Sequence, residues 1–326
     1  QCFPAMEKWL DFVQKSAAKN KKNVEEDYVR YLWDTKFHFG DWMIPSFMLG
    51  KEPQGPIASA FATKDSIATA YYAYSAGLLA EITKILGKPE QSDYYHTLHN
   101  KVKEAFGIAY VTDSGMMTSD YQGVYTIALA FNLLTEVQKK KAVERLVELI
   151  EKNDYKIDTG FLSVPYIMDV LCENGYEEIA YKLLFQTNCP SWLYEVKNGA
   201  TTIWESWEAI KPDGKVGDFS FNHYAFGCIG DWLIRHIGGL TPIDPGYSKF
   251  KVEPHYYERL TYAETQFESI YGEIKVKWEI QEEKKLILQV MVPANTIAVI
   301  SLTNIDPGCL KELNDYVTEM EYSNYQ

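Results

Sequence analysis

The sequence predicts a mainly α protein: an incomplete (α/α)6 toroid over residues 1–238, followed by a small antiparallel β-sandwich over residues 239–326. Three observations carry this. Apolar residues recur at helical spacing through the first two-thirds of the chain. Strongly apolar helical segments alternate there with amphipathic ones. After Gly239 the hydrophobic period shortens to two.

Met6, Leu10 and Val13 mark a first helix over Pro4 to Ala17. From Thr63 onward, with Thr63 or Asp65 as cap, Ile67, Tyr71, Tyr74, Leu78, Ile82 and Ile85 form one apolar stripe. Gly87 ends that helix, and Pro89 opens a second that runs from about Ser92 to Phe106. Tyr121 to Leu134 is apolar, and Thr135 starts a charged amphipathic partner ending near Asn153. Leu162 to Glu173 is again apolar, Gly175 breaks it, and an amphipathic helix reaches about Gln186. A last apolar helix is expected from near Asn222 to His236. Buried helices alternating with half-exposed ones are the pattern of a two-layered toroid, although a helical solenoid has the same local pattern. The count is about eight helices against the twelve of a closed toroid.

Two long irregular stretches interrupt the helices, one over 18–62 with Trp33, His38 and Phe39 to Trp42, the other over 188–220 with Trp192, Trp204 and Trp207. Long loops inside a compact domain are usually functional or disordered, and the Trp and apolar content here argues against disorder, so these stretches are expected to line a site. Beyond Gly239, Ile274, Val276, Trp278 and Ile280 alternate with charged residues, as do Leu286, Leu288, Val290 and Val292 with their neighbours. Thr296 to Leu302 adds a strand, and Val252 and Phe267 mark weaker ones, which is the signature of an antiparallel sandwich. The acidic, Tyr-rich stretch beyond Asp306 has no assignable element.

Bulk properties narrow the function. Aromatic residues make up 14% of 326, with 24 Tyr and 8 Trp, a content that suits both a large core and stacking on the C–H faces of sugars. A net charge of −13 argues against nucleic acid. No run is long enough to span a bilayer, and no membrane partner is expected. Cys2, Cys172, Cys189, Cys228 and Cys309 are scattered and odd in number, which points to buried free thiols rather than a zinc site or disulfide framework. No motif for a cofactor or metal is present, and His96 and His99 read as a satisfied surface pair. The chain begins with Gln1 and carries no visible signal peptide, so its location stays open.

The remaining chemistry is carboxylates among tryptophans. Glu205 stands between Trp204 and Trp207 in Gly-Ala-Thr-Thr-Ile-Trp-Glu-Ser-Trp. Apolar surroundings suit a carboxyl group to general acid–base work near neutral pH. A surface glutamate beside two core tryptophans fits the same spacing. Asn222 and His223, in Ser-Phe-Asn-His-Tyr-Ala-Phe-Gly, could bind hydroxyls from a helix start capped by Ser220, or His223 could simply be satisfied in the core. Trp42 could be a sugar platform with Asp41 accepting hydroxyl bonds, and a Gly40 turn beside a buried Trp fits as well.

Taken together, Phe-Gly-Asp-Trp (39 to 42), Ile-Ala-Thr-Ala-Tyr-Tyr-Ala-Tyr-Ser-Ala (67 to 76), Pro190-Ser-Trp-Leu-Tyr, the Thr-Thr-Ile-Trp-Glu-Ser-Trp segment and Ser220 to Gly227 resemble the α-L-rhamnosidases of glycoside hydrolase family 78. The resemblance runs from about Pro4 through the β-domain. It implies an (α/α)6 barrel with a C-terminal β-sandwich, and hydrolysis of terminal α-L-rhamnosides with inversion, one acid protonating the glycosidic oxygen and one carboxylate activating water. By the same resemblance Glu205 is the base, His223 contacts the sugar and Trp42 lines the rhamnose pocket, with Asp41, Asn222, Trp204 and Trp207 as further substrate-binding candidates. The family's general acid lies in an Asp-Glu-Arg segment that nothing in this sequence matches. The chain is therefore expected to be a fragment, a processed product or a truncated gene product with little activity alone. The inner helix faces of an open toroid would be exposed, and self-association into a homo-oligomer would cover them. A non-catalytic carbohydrate-binding protein and another (α/α)6 glycosidase are the competing readings.

Overall fold

The computed structural model describes residues 2–19, 21, 25–49, 52–281 and 285–302, so that Cys309 and the stretch beyond Asp306 lie outside it. The chain divides into two compact units, Gln1–Cys228 and Ile229–Gln326.

The first unit is helical. α1 (Phe3–Ala17) buries Leu10, Val13, Ser16 and Ala17. The following stretch, expected to be irregular, holds a 3-10 turn at Asp27–Tyr31 and a single helical turn, α2 (Pro45–Met48). α3 (Pro56–Ile85) opens ahead of Thr63, because Gly55 at φ 81° turns the chain and Pro56 occupies the first turn. Its buried face also differs from the expected stripe. Leu78 and Ile85 are exposed, while Ala60, Ala70, Ala73, Ala76, Ala80 and Thr83 are buried. Small residues let α4 (Pro89–Tyr110) approach α3 closely, and His99 on α4 sets its Nδ1 2.8 Å from the Ala73 carbonyl of α3.

α5 (Gln122–Ala130) is buried over eight of its nine residues, Gln122 to Leu129. α6 (Glu136–Lys152) buries only Ala142, Val143, Leu146, Val147 and Ile150, and starts at a capping box in which Thr135 and Gln138 satisfy each other's backbone N–H groups. α7 (Val164–Glu173) and α8 (Glu177–Leu184) follow, separated by Gly175 at φ 82°. The pairs α3/α4, α5/α6 and α7/α8 are hairpins, and α5 also packs on α3 and on α7. Inner helices α3, α5 and α7 thus carry outer partners α4, α6 and α8, which is the two-layered arrangement of a 6-hairpin fold. Among the described residues no helix is long and apolar enough to cross a membrane. Cys2, which is exposed, and the half-buried Cys172, Cys189 and Cys228 form no disulfide with one another.

The expected helix from Asn222 to His236 is broken. Its N-terminal part is a turn in which Ser220 Oγ accepts from the Asn222 N–H, followed by a 3-10 turn at Ala225–Cys228. A helical turn, α10 (Ile229–Trp232), and a π-helical turn at Leu233–Ile237 then begin the second unit. Gly227 and Gly230 supply the weakness, since each glycine disfavours a continuous helix.

The second unit is a sandwich of two three-stranded sheets. Strands β1 (Leu240–Pro242), β2 (Lys249–Val252) and β6 (Ile297–Ile300) form one, in the order β1-β2-β6. Strands β3 (Tyr262–Ser269), β4 (Gly272–Gln281) and β5 (Lys285–Met291) form a wholly antiparallel meander. The period-two pattern is realised on β4, where Ile274, Val276 and Trp278 are fully buried. Leu240, Phe250, Val252, Ile274 and Val276 meet in the core between the sheets, with Leu288, Val290 and Ala298 packed against them. One pairing departs from the antiparallel expectation: β6 runs parallel to β2, Ile300 opposite Val252. A parallel neighbour needs a crossover, and β3, β4 and β5 are that crossover.

Candidate active site

The Glu205 segment is built by a ladder between two loop strands. The Glu205 N–H donates to Ser220 O at 2.9 Å, and the Ser220 N–H donates back to Glu205 Oε2 at 3.0 Å. Three residues beyond Ser220, the His223 N–H donates to Ile203 O at 2.9 Å. The Thr202 hydroxyl closes the same ladder onto Phe221 O. Glu205 is half-buried, with Oε2 held by Ser220 and no hydrogen bond to Oε1 from the described residues.

Tryptophans lie beneath this ladder. Trp204 and Trp207 are each only 2% exposed. Trp204 packs edge-on against Phe221, and Trp207 stacks on Phe226 with ring centroids 4.1 Å apart. Trp192 meets Trp207 at 5.4 Å and donates its indole N–H to Phe226 O at 2.9 Å. These rings form the floor that sets the height of the Glu205 segment, and their burial leaves them little face for a ligand.

His223 is half-buried, its imidazole stacked on Phe161 at 5.0 Å and its Nδ1 3.3 Å from the Ala225 N–H. Asn222 is exposed. Phe161 also joins this region to the first Trp-rich loop, because its N–H donates to Trp42 O at 2.8 Å. Trp42 is half-buried and packs edge-on against Phe39 at 5.2 Å. Phe161 therefore links Trp42 of the first loop to His223 and Phe226, just beyond the second. Gly160, just before Phe161, has no room for a side chain: a Cβ there would lie 2.4 Å from Trp42 O and 2.6 Å from Asp41 C.

Asp41 is 0% exposed. Its Oδ1 accepts from the Leu162 and Ser163 N–H groups at 3.1 and 3.0 Å, and its Oδ2 from the Gly160 N–H and Ser163 hydroxyl at 2.8 and 2.6 Å. A carboxylate has about four acceptor positions, so no lone pair of Asp41 is open to a sugar hydroxyl. Burial pushes its carboxyl up, opposed by these bonds. Gly40, at φ 58°, lets the chain pass Thr63, whose Oγ1 would be 2.5 Å from a Cβ there and accepts the Asp41 N–H at 2.9 Å.

Two carboxylates that sequence reasoning passed over lie close by. Asp158 accepts the Ser46 N–H at 2.7 Å, and burial together with the Asp41 charge pushes it up to about 6. Glu195, on α9 (Trp192–Lys197), is 2% exposed and accepts the Trp204 N–H at 3.2 Å. Its signal was a lone acid in an otherwise apolar Trp-Leu-Tyr-Glu-Val run, which was masked by the expectation of a loop there.

Comparison with known proteins gives this arrangement a family. Residues 1–237 match the bacterial alpha-L-rhamnosidase 6 hairpin glycosidase domain, and residues 239–315 match the bacterial alpha-L-rhamnosidase C-terminal domain. The chain belongs to the bacterial α-L-rhamnosidase family. It is 39% identical over 240 residues to an α-L-rhamnosidase of Streptomyces avermitilis, covering 73% of this chain and 23% of that protein. It is 34% identical over 320 residues to one of Formosa agariphila, covering 97% of this chain and 32% of the relative. Among solved structures, the Streptomyces avermitilis α-L-rhamnosidase complexed with L-rhamnose superimposes with a TM-score of 0.79 at 34% identity, over 91% of this chain and 26% of that one. The native enzyme of Aspergillus terreus does so with a TM-score of 0.80 at 33% identity, over 91% of this chain and 33% of its own. The chain thus spans less than a third of the length of these two relatives in sequence, 23% and 32%.

Proposed function

We propose that this chain supplies the general base and part of the sugar-binding wall of an inverting α-L-rhamnosidase acting on terminal α-L-rhamnosides. The observation that carries the reading is the Glu205 ladder. The carboxylate is held at Oε2 by the Ser220 N–H while Oε1 stays open for a water. His223, stacked on Phe161, and the exposed Asn222 stand on the opposing strand of that ladder, where donors to sugar hydroxyls belong. Trp42, tied to Phe161 through its carbonyl, supplies an apolar ring at the same site. Asp41, Trp204 and Trp207 act through packing and hydrogen bonding, not through the sugar.

In an inverting reaction the base takes a proton from water as that water attacks the anomeric carbon, and an acid protonates the departing oxygen. No segment of the 326 residues matches the family's acid-bearing one. Loss of that proton costs on the order of 10²–10⁴ in rate for an ordinary glycoside. The same mismatch favours the second reading, a carbohydrate-binding protein without turnover. α-L-Rhamnosyl fluoride separates the two, because fluoride leaves without a proton. The chain is expected to hydrolyse the fluoride, to release β-L-rhamnose first by NMR, and to turn over aryl rhamnosides poorly. Glu205→Gln is expected to lower fluoride turnover by about 10²–10⁴, with L-rhamnose binding retained. Fluoride turnover unaffected by Glu205→Gln would refute the base; rhamnose binding with no turnover of the fluoride would establish the binding protein.

A further inference from the structure

Glu195 is an expensive residue to bury. It is one of the buried residues of α9, is 2% exposed, and has no cation paired with it among the described residues. Its Oε2 accepts a single bond, from the Trp204 N–H at 3.2 Å, and its Oε1 is buried with no hydrogen-bond partner. The backbone around it is already satisfied, since the Ala200 N–H donates to Glu195 O at 3.0 Å and the Ser191 hydroxyl caps the helix. A glutamine could accept the Trp204 N–H without the cost of a buried acid. What the carboxyl grips is the N–H of the Ile203–Trp204 peptide, one peptide ahead of that of Glu205, and the carbonyl of the same peptide accepts the His223 N–H.

We propose that Glu195 is a positioning residue for the candidate base, fixing through the Trp204 N–H the Ile203–Trp204 peptide one residue ahead of Glu205 and coupling that peptide to its own protonation state. The proposal rests on the reading of Glu205 as base. Burial pushes Glu195 up to about 7. Below that pH the neutral acid keeps its proton on the partnerless Oε1; above it the carboxylate is the stronger acceptor and shortens its hold on Trp204 N. The ionisable groups around it do not compensate. The Cys189 thiol, which burial pushes up to about 12, feels both Glu195 and Glu208, with Lys156 acting on it in the opposite sense. Glu208 is itself pushed up by burial, and Lys211 opposes that.

The test uses the whole chain labelled with ¹⁵N-tryptophan, the Trp204 amide being assigned by its loss in Trp204→Phe. In the unmodified chain the Trp204 amide shift is expected to titrate with a midpoint near 7; in Glu195→Gln it stays constant. The kcat for α-L-rhamnosyl fluoride is expected to change across the same midpoint, and in Glu195→Gln to lose that step while KM is unchanged. Glu195→Ala should lower kcat on the order of tenfold through misplacement of the base; if it fails to fold, Glu195→Gln carries the test alone. A flat Trp204 shift overturns the proposal, as does a kcat profile identical in Glu195→Gln and the unmodified chain. Failure of the base reading shows separately, as fluoride turnover indifferent to Glu205→Gln, and it removes the positioning role even where the Trp204 amide titrates.

Discussion

Asp41 binds the segment that carries Phe161, and Glu205 lies on the ladder that carries His223, the ring stacked on Phe161, yet the structure treats the two carboxylates as opposites. Asp41 is sealed and holds four hydrogen bonds that knot the Gly40 turn to residues 160–163. Glu205 is half-buried and anchored by one oxygen. A carboxylate with every acceptor position filled is a fastener, and one with an open oxygen can act on a ligand. The sequence placed both beside tryptophans, with Glu205 as base and Asp41 as an acceptor of sugar hydroxyls, and could not show that Asp41 is filled, because that depends on which backbone N–H groups a distant segment delivers.

Substitution should break the two regions differently. Asp41→Ala leaves the Gly160, Leu162 and Ser163 donors buried and unpaired, and is expected to lower the free energy of unfolding by about 3 kcal/mol or more in urea titration. Glu205→Gln should change it by less than about 0.5 kcal/mol; equal losses would erase the distinction. Gly160→Ala forces a Cβ into the backbone at Trp42 and is expected to cost about 1–3 kcal/mol. Gly227→Ala, on the Glu205 side, meets only Ile203 Cγ1 at 3.6 Å and should stay within about 0.5 kcal/mol.

Asp158 sharpens the contrast with pH. Its folded value, about 6, is above the ordinary carboxylate range, so its contribution to stability is fully present below the unfolded value near 3.8 and is lost as pH rises through about 6. Asp158→Asn should therefore gain stability relative to the parent chain between pH 4 and 8, on the order of 2 kcal/mol at pH 8; no pH-dependent difference would show that the charge is relieved. One further effect is remote from both regions. Thr135→Ala removes the capping box of α6 and should cost about 1 kcal/mol without altering rhamnose binding.

Much of the fold was legible where local signals and burial agreed. The Thr135 cap, the Gly175 break and the alternation on β4 all appear where the pattern put them. On α3 the pattern misled, because alanines carry little periodic signal and yet form the buried face, while Leu78 and Ile85 point outward. The helix expected from Asn222 failed at Ser220 and His223, whose side chains bond to backbone N–H groups two residues on and hold a turn instead. Glu205, His223 and Trp42 could be named as candidates from their motifs. The roles of Asp41, Asp158 and Glu195 depend on contacts across the chain that no spacing rule encodes.

The parallel pairing of β2 with β6 also sets an order of events during synthesis. Among the described residues β2 occupies the centre of its sheet, and Ile297–Ile300 fills one of its two edges. As the chain leaves the ribosome, β1 and β2 emerge together, followed by the self-contained meander of β3, β4 and β5. Until residue 300 is out, β2 shows a bare row of backbone donors and acceptors, an edge open to any passing strand. A chain cut before Ile297 would keep that edge for good, and its C-terminal unit would be a nucleus for aggregation.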